Sequence, residues 1–146
     1  MAASTRHDSG LAHAFTVTAD GVQLAGVTGV SGIGVERDAI EFREGNDDSG
    51  TRRLPGRAKG GDAVLTRGLS TDPAFESWAR AAGADGAAVA TRDVRIRFFD
   101  RHGAPVRAYR LVRAWPRRFE VAGSTTAGSP GLLEVLTLSY DACVPE

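Results

Sequence analysis

The residues able to do chemistry are few and scattered: three histidines, one cysteine, and short acidic and glycine-containing runs. His7 and His13 stand in a small, polar start, and His102 stands in the turn-forming run from Asp100 to Gly103. None has a base or ligand partner close in sequence, and a general base must come within hydrogen-bond reach of the proton it moves. Asn46, Asp47 and Asp48 open in the manner of a calcium loop, but the ordered acidic spacing and closing glutamate of such loops are missing. Ser31 lies in Gly-Val-Ser-Gly-Ile, which does not complete the glycine-flanked nucleophile elbow, and no strand-to-helix turn follows it. Gly29, Gly32 and Gly34 do not form a dinucleotide fingerprint and precede a strand, so they read as bend or bulge glycines. Cys143 has no activating base nearby and reads as a packed thiol. The expectation is a protein without catalytic residues, cofactor or bound metal.

Composition narrows the partners. The 18 basic residues are balanced by 18 acidic ones, which removes the general electrostatic argument for nucleic acid or an anionic membrane surface. Lys59 is the only lysine; every other basic residue is arginine, the side chain suited to bidentate pairing. Arginines interleave with aromatics in RDVRIRFFDRHG and RLVRAWPRRF, which keeps a single-stranded nucleic-acid-binding β module as an alternative of a different class. A single cysteine forms no intrachain disulfide and suits a reducing compartment, so assembly in the cytoplasm is expected. The start, MAASTRHDSGLAHA, lacks the apolar run of a signal peptide, and no stretch approaches a membrane span of about 20 apolar residues.

The elements that must position any surface are mostly strands. Residues 1–13 read as a flexible extension and 14–146 as one domain, a length sufficient for a core without staples. Phe15, Val17 and Ala19 alternate with Thr16, Thr18 and Asp20, and Asp20-Gly21 is a hairpin turn. Strands follow from about Val35, from Asp62 to Leu69, across Val94, Ile96 and Phe98, across Tyr109, Leu111, Arg113 and Trp115 up to an interrupting Pro116, and across Leu136, Leu138 and Tyr140. One helix is expected in STDPAFESWARAAG: Ser70 or Asp72 caps it, Pro73 suits its first turn, Phe75 and Trp78 face the core, and Gly83 stops it. The sum is a mainly β fold, an antiparallel sandwich or partly open barrel with one helix on its flank. Arg37, Glu41, Val64, Thr66, Thr137 and Ser139 give it a patterned second face that meets water or lines an aqueous channel.

Between two of these strands lies an over-long polar stretch. A hairpin loop needs about 2 to 5 residues, and the roughly fifteen between Glu44 and Lys59 exceed that. Leu54, Pro55 and Gly56 place an apolar anchor and a rigid turn among Arg52, Arg53, Arg57 and Lys59, with Arg43, Glu44, Asp47 and Asp48 at its start. The stretch reads as a long hairpin loop that serves as an arm and docks on something.

In order, Arg43 to Gly45 (REG), Arg52 to Gly56 (RRLPG), Lys59, Arg67-Gly68, Trp78, Arg92-Asp93, Ala114-Trp115-Pro116 and the strand from Glu134 to Tyr140 resemble the inner tube proteins of contractile phage tails. The likeness is nearest to extracellular contractile injection systems, the phage-tail-like particles, and spans roughly Phe15 to Asp141. Departures are Gly60 and Gly61 where such proteins often carry an aromatic, and Arg113 where they often carry asparagine before AWP. The resemblance implies a structural, non-enzymatic protein whose homo-hexameric rings stack into a hollow tube inside a contractile sheath, with baseplate and cap proteins at its ends. It further implies lumen cargo, no stable nucleic acid, an intersubunit role for the long loop, and a tube driven through a target envelope, inside the cell or after release. A tube-end, baseplate or secretion-system ring protein of the same superfamily is the alternative within that class.

Overall fold

The computed structural model describes residues 11–43, 45, 50–84, 91–123 and 131–146. Among these described residues, ten strands and one helix follow in order: β1 (Ala14–Ala19), β2 (Val22–Gln23), β3 (Val27–Ser31), β4 (Glu36–Phe42), β5 (Arg52–Lys59), β6 (Gly61–Gly68), α1 (Ala74–Ala84), β7 (Arg92–Phe99), β8 (Pro105–Gly123), β9 (Leu132–Tyr140) and β10 (Ala142–Pro145). Eight strands form one antiparallel sheet in the order β2-β1-β7-β8-β9-β6-β3, with β10 beside β8; β4 and β5 form a separate two-stranded ribbon. Helix α1 packs on β8 and β9. The sheet does not close into a barrel.

The expected alternation holds through most strands. Val17 and Ala19, Ala63 and Leu65, Val94 and Ile96, and Leu136 and Leu138 are all buried, each pair two residues apart on one face. The β1–β2 turn is the Asp20-Gly21 pair, with φ of 47° and 81°, which closes Ala19 onto Val22. Asp72 caps α1: its Oδ1 accepts the Ala74 N–H at 3.1 Å, and the Ser77 N–H reaches the Pro73 carbonyl at 2.8 Å. The helix continues through Gly83 to Ala84, one residue past the expected stop. Phe75 and Trp78 are buried as their spacing requires. Trp78→Ala should therefore cost about 3 kcal/mol of stability, measured by chemical denaturation.

Trp115 is a correction. Simple alternation puts Leu111, Arg113 and Trp115 on one face, but Leu111, Ala114 and Pro116 are the buried positions. Two residues of β8 are squeezed opposite one of β7, since Arg92 pairs with Ala114 while Val94 pairs with Leu111. Arg113 adopts φ 50° within this bulge and donates its N–H to Asp93 Oδ1 at 3.1 Å. A bulge inverts the inward phase, so Trp115 leaves the core and lies half-buried beside Ser139. Pro116 marks a bend or edge as its ring predicts, inside one continuous strand: β8 passes here from β7 and β10 on its first half to β9 on its second. Trp115→Ala should consequently cost clearly less than Trp78→Ala in the same denaturation experiment.

Candidate assembly surfaces

The second half of the expected loop is a strand, so the arm is a two-stranded ribbon. Arg52, Arg53, Leu54, Pro55, Gly56, Arg57 and Lys59 form β5, paired antiparallel with β4, instead of a loop. Pro55 is tolerated because a two-stranded ribbon has an outer edge on each strand where a missing N–H breaks no ladder bond. Gly56 lies in a register shift where the chain crosses Asp38 so closely that a Cβ would sit 2.8 Å from the Asp38 carbonyl oxygen. Arg43 is exposed just past β4. Glu44, Asp47 and Asp48 lie outside the described residues.

The ribbon has two distinct faces. Ile40 pairs with Leu54, and Phe42 with Arg52, so Ile40, Phe42 and Leu54 share one side and are 53 %, 45 % and 48 % exposed. Ala39 with Pro55 and Glu41 with Arg53 make the other side. The arm lacks a core of its own and holds three large apolar side chains in water on one face, which makes that face a candidate contact surface. At its base Lys59 reaches Asp38 at 3.2 Å and Glu36 at 3.6 Å, and hydrogen bonding to Asp38 is the main cause that raises its pKa.

The expected second face divides between two places. Val64 pairs with Thr137, Asp62 with Ser139 and Thr66 with Val135, so Val64, Thr66, Thr137 and Ser139 lie together on the side of β6 and β9 away from the core. Each is half-buried, and β3 and the second half of β8 extend this face on either flank. Its charges are internally matched: Arg117 pairs with Asp62, and Arg118 with Glu120 at 2.8 Å. Arg37 and Glu41 are not part of it; both stand on the ribbon, on the face shared with Ala39.

Sequence reasoning missed a buried ion pair. Arg67 and Glu134, partners across β6 and β9, occupy inward positions at 2 % exposure each. Arg67 Nε donates to Glu134 Oε2 at 2.6 Å, Nη1 to Asp72 Oδ2 at 3.1 Å and to the Ala25 carbonyl at 3.2 Å, and Nη2 to the Asp72 carbonyl at 2.9 Å. Its guanidinium also stacks 4.1 Å from the Phe75 ring centroid. The signal lay in the alternation itself, which continues Ala63, Leu65 inward to Arg67 and Leu138, Leu136 inward to Glu134.

Among the described residues, no three or more His, Cys, Asp and Glu side chains gather where a metal could bind, and no helix is long and apolar enough to cross a membrane. Burial pushes the Cys143 thiol up from its ordinary pKa. Less thiolate is then present at neutral pH, so Cys143 should alkylate more slowly than a free cysteine when followed by mass spectrometry.

No curated protein sequence matches the chain. By structure it is similar to a subunit of the sheath-tube complex of the extracellular contractile injection system PVC in its extended state, with TM-score 0.77 and 18 % identity over 90 % of this chain and 87 % of that one. It is similar to a chain of the tube-terminating cap of the anti-feeding prophage, with TM-score 0.75 and 22 % identity over 90 % and 87 %. It is also similar to Hcp1 from Flavobacterium johnsoniae, with TM-score 0.59 and 14 % identity over 90 % and 93 %. At these identities the structures speak for the fold; the sequence speaks for the family, because residues 11–143 match the model of the T4-like virus tail tube protein gp19. With nearly its whole length inside that match, the chain belongs to the T4-like tail tube protein family and is a structural tube subunit.

Proposed function

We propose that this protein builds the inner tube of a contractile injection particle as stacked hexameric rings, enclosed by a sheath and closed by baseplate and cap proteins. The observation that carries this reading is the pair of open edges on the sheet half made of β3, β6, β9 and the end of β8. Among the described residues, strand β3 has a ladder partner only in β6, and β8 past Pro116 has one only in β9. An edge strand invites pairing with another chain, and two different edges joined head to tail close into a ring when the rotation allows. The Val64, Thr66, Thr137 and Ser139 face then lines the lumen. It presents hydroxyl and aliphatic groups with paired charges, a surface that holds no passing cargo strongly. The β4–β5 arm leaves this sheet to contact an adjacent subunit through Ile40, Phe42 and Leu54.

The neighbouring structures come from sheath-tube, cap and baseplate assemblies, which supports a tube working with such partners in a particle that acts outside the producing cell. The function is mechanical and requires no turnover. Cysteines placed on the β3 edge and on the free edge of β8 in a Cys143→Ser background test the ring directly. Oxidation of assembled tubes should give a ladder of cross-linked species ending at the hexamer. A ladder ending at another number, or no cross-link in assembled tubes, would contradict the ring.

A further inference from the structure

The arm joins the body through only two connectors, residues 32–35 into β4 and residues 59–61 out of β5, and one side chain touches both. The Tyr140 hydroxyl donates to the Gly32 carbonyl at 2.8 Å, with the Gly34 carbonyl at 3.3 Å as a second acceptor. On the other connector Gly61 is the ladder partner of Tyr140, and its missing side chain leaves room for the phenol: a Cβ there would lie 2.9 Å from the Tyr140 hydroxyl oxygen and 3.2 Å from Cζ. A Cβ on Gly60 would collide with the Tyr140 carbonyl, and one on Gly32 (φ 77°) with the Asp62 carbonyl. These residues line a cavity of about 370 Å³ between arm and body, with Val35, Glu36 and Lys59 on its arm side. Burial raises the Tyr140 pKa above its ordinary value, so the phenol stays a donor well past neutral pH.

We infer that Tyr140 is the positioning residue of the arm, fixing the angle at which the β4–β5 ribbon leaves the sheet. Its ring and backbone seat the returning connector, while its hydroxyl ties down the outgoing one. The glycines at 32, 60 and 61 let the backbones approach closely enough for one phenol to serve both. A ribbon with so little contact to the body elsewhere would swing without this fixture, and contact with a neighbour would first have to select one orientation. The geometry of the fixture is a property of the single subunit; its consequence for assembly rests on the tube reading above.

Tyr140→Phe keeps the ring and removes the hydroxyl. In the full-length subunit, hydrogen exchange read by peptide mass spectrometry should become about tenfold faster at residues 33–36 and 59–62, the opening expected on losing one hydrogen bond. Exchange around Leu65 and Leu136 should stay at the parent rate. Gly60→Ala should produce the same local pattern by pushing the returning connector off Tyr140. Unchanged exchange at both connectors in both variants would overturn the inference. So would faster exchange across the whole sheet, which would give the hydroxyl to the fold, or connectors that already exchange in the parent at unstructured-chain rates. None of these outcomes depends on tube formation. An arm-less variant that builds normal tubes would instead remove the arm's assembly role and leave the Tyr140 result standing.

Discussion

Replacing residues 37–58 with a short Gly-Ser turn is expected to leave a folded subunit that no longer enters tubes. Every residue of β4 is exposed, as is every residue of β5 apart from a half-buried Gly56, and the ribbon contributes nothing to the buried core. Glu36 and Lys59 are ladder partners, so their ends are already placed for a short connection. Loop-closure entropy varies slowly with length, and removing exposed residues costs within about 1 kcal/mol. The cooperative melt should therefore match the parent, with circular dichroism losing only the strand signal of the ribbon. Assembly should fail because the cut removes the Ile40, Phe42 and Leu54 face, and central apolar anchors carry most of an interface's energy. Co-expression with the sheath and baseplate followed by sedimentation measures this. Normal tubes would remove the arm from the interface, and a lost melt would place the ribbon in the fold.

Breaking the Arg67–Glu134 pair should destabilise the subunit more than any change on the patterned outer face. Glu134→Ala leaves the buried guanidinium with Asp72 as its remaining carboxylate and is the milder loss, while Arg67→Ala strands a buried carboxylate and releases the Asp72 and Ala25 carbonyl contacts. Removing one partner of a buried pair costs about 3–5 kcal/mol, a large part of a typical stability of about 5–15 kcal/mol. Arg67→Ala also frees the start of α1, since Asp72 both caps the helix and accepts from Arg67. The joint replacement Arg67→Met with Glu134→Leu should recover most of the loss, because apolar residues of similar volume satisfy a buried site without desolvating charge. Chemical denaturation of the three variants tests this. Single variants within about 1 kcal/mol of the parent would show the pair to be open to water.

Period-2 alternation made much of this fold legible: it located the inward residues of β1, β6, β7 and β9, and the cap, proline and aromatic spacing located α1. It failed where one extra residue entered a strand. The bulge at Arg113 has no marker in composition, since its positive φ is held by Asp93, which is distant in sequence, and so Trp115 was assigned to the wrong face. An arm was legible in the excess length between Glu44 and Lys59, its strand pairing was not: Pro55 and Gly56 signal a turn locally, yet here they sit within a paired ribbon whose edges and register shift accommodate them. Among the second-face residues, Val64, Thr66, Thr137 and Ser139 came together because antiparallel register joins β6 to β9. Arg37 and Glu41 share their alternation but belong to another sheet, a separation that only the connectors around Gly32 and Gly60 decide.

A chain that forms the wall of the inner tube must surround the lumen in intact particles. Electron cryomicroscopy of particles from the producing cells, carried to a resolution at which side chains identify the chain, tests it most directly. The expected map shows this protein in six-fold rings inside the sheath, with β3 of one subunit against the end of β8 of the next, Val64 and Thr137 toward the lumen, and the arm on an adjacent subunit. Density for this chain outside the inner tube, or in rings of another symmetry, would contradict it.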